Sequence, residues 1–229
     1  MIESSLVNAL QRFSTPSILN GMKHLGWRPE DFAIVDRAAV HCMSPGLGVR
    51  VGFAATAKVA TRRTGDAPSR DLLREYSVRI AENILLTPAP RFLAIENVGD
   101  WQGPVCIWGE VAAHIQVALR CAAGVTNGPV RDLPEMEAAG FQAFAGGPGT
   151  GGGYVDLVEV GGAVSLGGVK ISPSDLLHGD QHGLIKIPTE PVAYLPKAIE
   201  TVTHFEQRLM QASRSPDFNL ERLAQAWNK

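Results

Sequence analysis

The chain has 229 residues, 45% of them hydrophobic and 19% charged, with a formal net charge of −2. That is an ordinary globular balance, and the length suffices for one sizeable core. Nucleic acid is a poor partner, because phosphate binding needs clustered Lys and Arg and the Arg62-Arg63 pair is too short to supply them.

Leu6, Leu10 and Phe13, with Val7 and Ala9, predict a short amphipathic helix. Thr15-Pro16 reads as an N-cap followed by Pro at the first helical position, opening a second helix that ends near Gly26. This N-terminal stretch has neither a basic n-region nor an apolar h-region, so it is not expected to be a signal peptide. No run approaches the roughly 18 apolar residues of a membrane span. SPGLG then leads into VRVGFAATAKVATR, whose Val, Ala and Thr predict strands. Ser69 to Leu86 predicts a third helix with Leu72, Leu73, Tyr76, Ile80 and Ile84 on one side, ended by Pro88 and Pro90.

A regular alternation follows. RFLAIEN predicts a strand. GEVAAHIQVALRCAAG predicts a helix with an apolar stripe of Val111, Ile115, Ala118, Leu119 and Ala122 and a stop at Gly124. GVTN predicts a strand, LPEMEAAG a short helix stopped by Gly140, and FQAFAGG another strand. Strand–helix–strand–helix–strand at this spacing implies an α/β fold with a locally parallel sheet. Beyond Gly153, YVDLVEV, AVSLGGVKI and LIKIP predict short strands divided by Gly turns. A last helix is expected from about Pro196 to Met210. With no internal repeat and no composition shift, residues 1–229 read as a single domain, in which 213–229 form a loosely held tail with a helical turn or two.

Several motifs bear on chemistry. GGPGTGGG matches G-x-G-x-x-G at Gly147, Gly149 and Gly152, but a dinucleotide fingerprint must open a helix and here the strand-like YVDLVEV follows. It reads as a flexible loop able to approach a ligand. HGDQHG offers His178, Asp180 and His182 at a spacing a metal would accept, yet Asp180 and Gly183 between two apolar runs read as a hairpin turn. Cys42, Cys106 and Cys121 lie at no metal spacing, and read as small buried hydrophobes of a protein in the reducing cytoplasm. No Ser-His-Asp or G-x-S-x-G arrangement is present.

The remaining constellation is Gly109-Glu110 with Arg131-Asp132. Each pair lies past the carboxyl end of a predicted strand, where open α/β sheets bind ligands. A helix beginning after Gly109 would present the amides of Glu110, Val111 and Ala112 to an anion. Arg131 adds a fork for a carboxylate. Glu110 and Asp132 add hard oxygens suited to Mg²⁺ or Mn²⁺ rather than zinc. The same residues also fit plain capping and surface pairing, since an acid is expected in a helix's first turn.

WGEVAA followed by GVTNGPVRD, with 22 residues from Glu110 to Asp132, resembles a segment of RraA-like proteins. That family includes class II aldolases for 4-hydroxy-4-methyl-2-oxoglutarate and 4-carboxy-4-hydroxy-2-oxoadipate. LQRFSTPSILNGMKHLG resembles the family's N-terminal helix pair, and PSDLLHGDQHGLIKIP its late hairpin. The resemblance spans about Phe13 to Glu206. It implies a three-layer fold with a swivelling β/β/α core, and a trimer or dimer of trimers with sites between subunits. It further implies pyruvate binding by Gly109, Glu110, Val111, Ala112 and Arg131, and a divalent metal, Mg²⁺ or Mn²⁺, held by Asp132 and Glu110, with Glu206 reaching over from a neighbouring subunit. Read from the residues alone, Glu206 faces solvent beside the Val202, Phe205 and Leu209 stripe.

Three positions depart from the family pattern. Glu110 stands where Asp is commoner, Asn127 where Asp is usual, and Asn20 where many members carry an acid. The implied activity is cleavage of a small 2-oxo acid to pyruvate: retro-aldol scission of a 4-hydroxy-2-oxo acid, oxaloacetate decarboxylation, or both, through the pyruvate enolate stabilised by metal and Arg131. Asp132→Ala is expected to abolish it. No Schiff-base lysine is required. The alternative is a non-catalytic binding protein like the family members that inhibit ribonuclease E. A methyltransferase reading lacks the Gly-rich strand-to-helix loop its cofactor needs.

Overall fold

The computed structural model describes residues 4–99, 103, 105–190 and 192–228. In chain order the elements are α1 (Ser4–Leu10), α2 (Thr15–His24), β1 (Ala33–Ile34), β2 (His41–Cys42), β3 (Arg50–Arg62), α3 (Arg70–Leu86) and β4 (Arg91–Asn97). Next come α4 (Glu110–Ala118), β5 (Cys121–Thr126), β6 (Pro129–Val130), α5 (Leu133–Ala138), β7 (Gln142–Ala145) and β8 (Gly147–Pro148). The chain closes with β9 (Tyr154–Val160), β10 (Val164–Leu166), β11 (Val169–Ile171), β12 (Leu176–Asp180), β13 (Gly183–Ile187), α6 (Leu195–Ser213) and α7 (Leu220–Trp227).

One large sheet runs β1-β13-β12-β3-β4-β5-β7-β2, with β9 also paired to β3. Its centre, β3-β4-β5-β7, is parallel, while the outer pairings are antiparallel. The 13-residue β3 makes this possible, because β12 pairs along its first residues and β9 along its last, both on the edge opposite β4.

The central strands are buried on both faces, so side chains sort by the two-residue period alone. Phe92 and Ala94 of β4 join one core cluster, and Leu93 and Ile95 join another on the opposite face. The first is closed by the β10–β11 hairpin through Val164, Leu166, Val169 and Ile171. The second is closed by α3, α4 and α5 through Ile84, Ala113 and Met136. The result is hairpin, sheet and helices in three layers, the expected β/β/α order. A third cluster packs α1, α2 and α6 on Val51, Phe53, Leu176, Ile185 and Ile187.

The expected helix from Gly109 to Gly124 is too long. The helix stops at Ala118, Arg120 turns with φ 60°, and β5 begins at Cys121. Gly124 is a strand residue, because a Cβ there would lie 2.7 Å from the Phe141 ring and 2.9 Å from that of Trp108. The stripe is also reversed: Val111 and Ile115 are 74% and 50% exposed, and the buried residues of α4 are Ala113 and Gln116. At α2 the N-cap is Ser14, whose hydroxyl accepts from the Ser17 amide, so the expected cap shifts by one residue. The tail is more ordered than expected, with α7 packed edge-on to α6 through Trp227 and Phe205, ring centroids 5.2 Å apart.

Candidate active site

The segment before α4 and the segment after β5 are tied together by their backbones. Ile107 donates to the Pro129 carbonyl at 2.9 Å, Arg131 donates to that of Trp108 at 3.1 Å, and Trp108 bridges Val130 in parallel. The Gly-rich loop crosses the same turn. Gly146 donates to Gly128 at 3.0 Å, Gly149 donates to Val130 at 2.8 Å, and β6 pairs β8. This loop is therefore a fixed wall of the site, built from glycines because the backbones are so close. A Cβ on Gly146 would lie 2.5 Å from the Asn127 carbonyl oxygen.

Asp132 sits in the left-handed region, φ 56° and ψ 44°, which Asp tolerates better than most residues. That twist turns its carboxylate back towards α4. Oδ2 accepts the Glu110 amide at 3.1 Å and lies 3.5 Å from Arg131 Nε. Gly109 offers α4 no capping side chain, so Asp132 caps the helix from across the site. A Cβ on Gly109 would stand 2.4 Å from Asp132 Oδ2 and 3.1 Å from Arg131 Nε. Across the guanidinium, a Cβ on Gly151 would lie 3.1 Å from an Arg131 terminal nitrogen. The Arg131 side chain thus runs between two glycines.

Gly109, Glu110, Val111, Ala112, Arg131 and Asp132 all line one open cavity of about 420 Å³, with Gly151, Gly152 and Gly153 on its rim. The Arg131 terminal nitrogens and the Val111 and Ala112 amides make no hydrogen bond among the described residues. One of the three amides expected to meet an anion, that of Glu110, is taken by Asp132. Cys106 also lines the cavity. Burial pushes its thiol up, against lowering by the Gly151 backbone and the Arg131 charge, so it is no thiolate at neutral pH.

Glu206 does not join this group within one chain. It lies exposed on α6 and accepts from Asn20 Nδ2 at 3.2 Å. Among the described residues no three His, Cys, Asp or Glu gather as a metal site, which includes HGDQHG. There, Asp180 accepts the Thr15 and His182 amides at 2.9 and 2.8 Å, and His178 bonds Thr15 Oγ1 at 3.0 Å.

Asn127, a departure from the family pattern, has a clear job. Its Oδ1 accepts the Asn97 amide at 2.7 Å and its Nδ2 donates to the Asn97 carbonyl at 3.0 Å. One amide side chain extends the β4–β5 ladder past its last backbone pair.

Among the described residues, no helix is long and apolar enough to cross a membrane. Over 121 residues, 52% of this chain, the sequence is 30% identical to the uncharacterized protein MJ0644 of Methanocaldococcus jannaschii. That match spans 56% of the archaeal protein, little more than half its length. An uncharacterized Pseudomonas syringae protein superposes with a TM-score of 0.71 at 20% identity, over 98% of this chain and 93% of that one. Streptomyces coelicolor RraAS2, described as an unusual member of the RNase ES inhibitor RraA protein family, superposes at 0.67 with 16% identity, over 93% of this chain and 98% of its own. These two likenesses show the fold. The family model described as Aldolase/RraA matches residues 16–185, most of the chain and all of the cavity just described, and the protein therefore belongs to the RraA-like family.

Proposed function

We propose that the protein is a divalent-metal-dependent carbon–carbon lyase that releases pyruvate from a small 2-oxo acid. The observation that carries this reading is the set of unpaired donors around one cavity: the Arg131 guanidinium and the Val111 and Ala112 amides, beside the carboxylates of Asp132 and Glu110. A 2-oxo acid needs just such partners. Its carboxylate suits the planar fork of Arg131 and the positive end of α4. Its keto oxygen gains negative charge as the reaction proceeds, and donors aimed at developing charge lower the barrier most.

Two carboxylates on one rim fit Mg²⁺ or Mn²⁺, which usually keep waters and accept one or two protein carboxylates plus substrate oxygens. Asp132 Oδ1 has no partner among the described residues, and Glu110 is exposed at the cavity. A bound ion would supply Lewis-acid stabilisation of oxyanion charge. The third acid, Glu206, enters this reading only from a second copy of the chain. The exposed Val111 and Ile115 beside the cavity support assembly, as a trimer or a dimer of trimers.

In the retro-aldol step the C3–C4 bond of a 4-hydroxy-2-oxo acid breaks. Its electron pair moves onto C3 and the C2 oxygen, where Arg131 meets the charge. The 4-hydroxyl proton passes to a water oriented by the carboxylates. Protonation at C3 then gives pyruvate, and C4 leaves as a carbonyl. Loss of CO₂ from oxaloacetate reaches the same enolate. The test is pyruvate release from oxaloacetate and from 4-hydroxy-4-methyl-2-oxoglutarate with Mg²⁺ or Mn²⁺, and again with chelator. Release that chelation stops is expected. No release from either by intact, folded protein would replace the lyase with a regulatory binding role.

A further inference from the structure

Behind the Arg131 cavity lies a second, narrower one of about 140 Å³ between α3 and α4. The two are continuous, sharing Ser77, Ile107, Trp108, Ala112, Ile115 and Val155 as walls. The deeper one is closed by aliphatic side chains from both helices and the sheet, among them Ile84, Leu93 and Ile95. Two of its residues carry polar atoms without partners. Trp108 is 3% exposed and its Nε1 is unpaired, and Gln116 is 6% exposed and its Oε1 is unpaired. Buried donors and acceptors are nearly always satisfied, and leaving one bare costs roughly 1–3 kcal/mol. A donor and an acceptor, both bare, in one apolar crevice opening on the candidate site are a vacancy for a ligand group.

We infer that this crevice holds the tail of the substrate, and that the tail is an apolar ring bearing a hydroxyl. The inference rests on the 2-oxo acid reading above. The volume matches the roughly 150 Å³ apolar cavity known to take a six-carbon ring. A hydroxyl both accepts and donates, so it answers the Trp108 N–H and the Gln116 carbonyl oxygen alike. Ala112 belongs to both cavities, so a 2-oxo acid with its carboxylate at Arg131 runs past Ala112 and sends its C4 substituent inward. The substrate class is then a 4-hydroxy-2-oxo acid with a hydroxylated ring on C4, cleaved to pyruvate and the ring aldehyde. A site built to bond a hydroxyl rejects analogues lacking it far more sharply than an apolar pocket rejects a missing methylene.

The test is calorimetric binding, with Mn²⁺ present, of pyruvate and of the uncleavable 4-(4-hydroxyphenyl)-2-oxobutanoate and its plain phenyl counterpart. Both ring compounds are expected to bind at least about tenfold tighter than pyruvate, the hydroxyphenyl acid best, and all three to be lost in Arg131→Ala. Ala81→Phe fills the crevice from α3 and should return the ring compounds to the pyruvate level while leaving pyruvate unchanged. Gln116→Leu should erase the preference for the hydroxylated ring and keep the fold, since it removes a bare acceptor. Ring compounds no tighter than pyruvate, with pyruvate binding still dependent on Arg131, would overturn this inference and leave the lyase reading standing. Binding of none of the three would sink the lyase reading, and this inference with it.

Discussion

At the β12–β13 turn, Asp180 commits both carboxylate oxygens to the protein: Oδ2 to the Thr15 amide, Oδ1 to the His182 amide and imidazole. At the β6–α5 junction, Asp132 commits only Oδ2, and the Arg131 beside it keeps its terminal nitrogens free of protein partners among the described residues. The neighbouring His178 is likewise used up. Its Nδ1 faces Thr15 Oγ1, and its Nε2 lies 3.1 Å from the Phe13 carbonyl, an acceptor that fixes the proton on Nε2. Both turns put an acid beside a cationic type in the sequence. What separates an anchor from a site is not residue type but how much bonding capacity folding leaves over. The first turn clamps the α1–α2 corner to the sheet. The second waits for a ligand.

The largest expected effect comes from breaking the open turn. Asp132→Asn keeps an oxygen for the Glu110 amide and tolerates the left-handed backbone, but removes the charge. Turnover should fall by about 10²–10³-fold, the usual result of deleting one group that meets developing charge, with the melting temperature nearly unchanged. Arg131→Ala should match it. If either variant retains full pyruvate release, the cavity is not the reacting site.

The closed turn should respond the other way. His178→Ala removes a fully buried, doubly bonded side chain and should cost about 3 kcal/mol of stability, with kcat preserved in whatever protein remains folded. The pH profile sharpens this. Burial pushes the His178 imidazole down to about 4, against the bonding carbonyls of Leu10 and Phe13 and the Asp180 charge. The folded state therefore disfavours protonation. Its contribution is complete above the ordinary value of 6.5 and is lost as pH falls towards 4. Burial also opposes the Asp180 carboxylate, but the hydrogen bonds from Thr15 and His182 outweigh it and hold it below its ordinary value, which adds acid sensitivity of the same sign. Urea unfolding between pH 7 and 4 should show a loss on the order of 3 kcal/mol that His178→Ala flattens. An unchanged slope in that variant would assign the acid sensitivity elsewhere.

Gly109→Ala probes the contact between α4 and the open turn. Its φ of −148° suits any residue, so the effect is purely one of space. A methyl group 2.4 Å from Asp132 Oδ2 must displace the carboxylate. Roughly tenfold lower activity is expected, because misplacing a reacting group by a fraction of an ångström already costs rate. Wild-type kinetics would mean that Asp132 is free to move without consequence.

The sheet was legible because β4, β7, β9 and the β12–β13 hairpin each carry a local signal: an apolar run, an alternation, or a Gly turn. The end of α4 was not, because VALRCAAG is apolar on every face and only the packing of Gly124 against Phe141 and Trp108 decides that the strand has begun. The outward turn of Val111 and Ile115 was equally hidden, since an apolar stripe reads as core whether it faces the chain's own sheet or lines an opening. Arg131, Asp132 and Gly109 stood out by motif. That the Gly-rich loop walls their cavity, and that α3 and α4 leave a crevice behind it, depends on contacts between distant segments and has no local signature.

Asn127 offers the finest comparison, because the family pattern usually has Asp there and the structure explains the amide. A carboxylate could still accept the Asn97 amide, but it cannot donate to the Asn97 carbonyl. Asn127→Asp should therefore set an acceptor against an acceptor and cost about 1 kcal/mol, read as a shift in the urea midpoint, with activity changed little. Asn97 also receives the Thr61 amide and donates to the Thr61 hydroxyl, so the same residue ties β4 to β3. A loss well above this size would mean that the Asn97–Asn127 pair holds together the carboxyl ends of three strands. No loss at all would mean that the carboxylate is accommodated by a shift of the turn. That shift would be visible in the kinetics, because the same turn carries Arg131 and Asp132 four and five residues on.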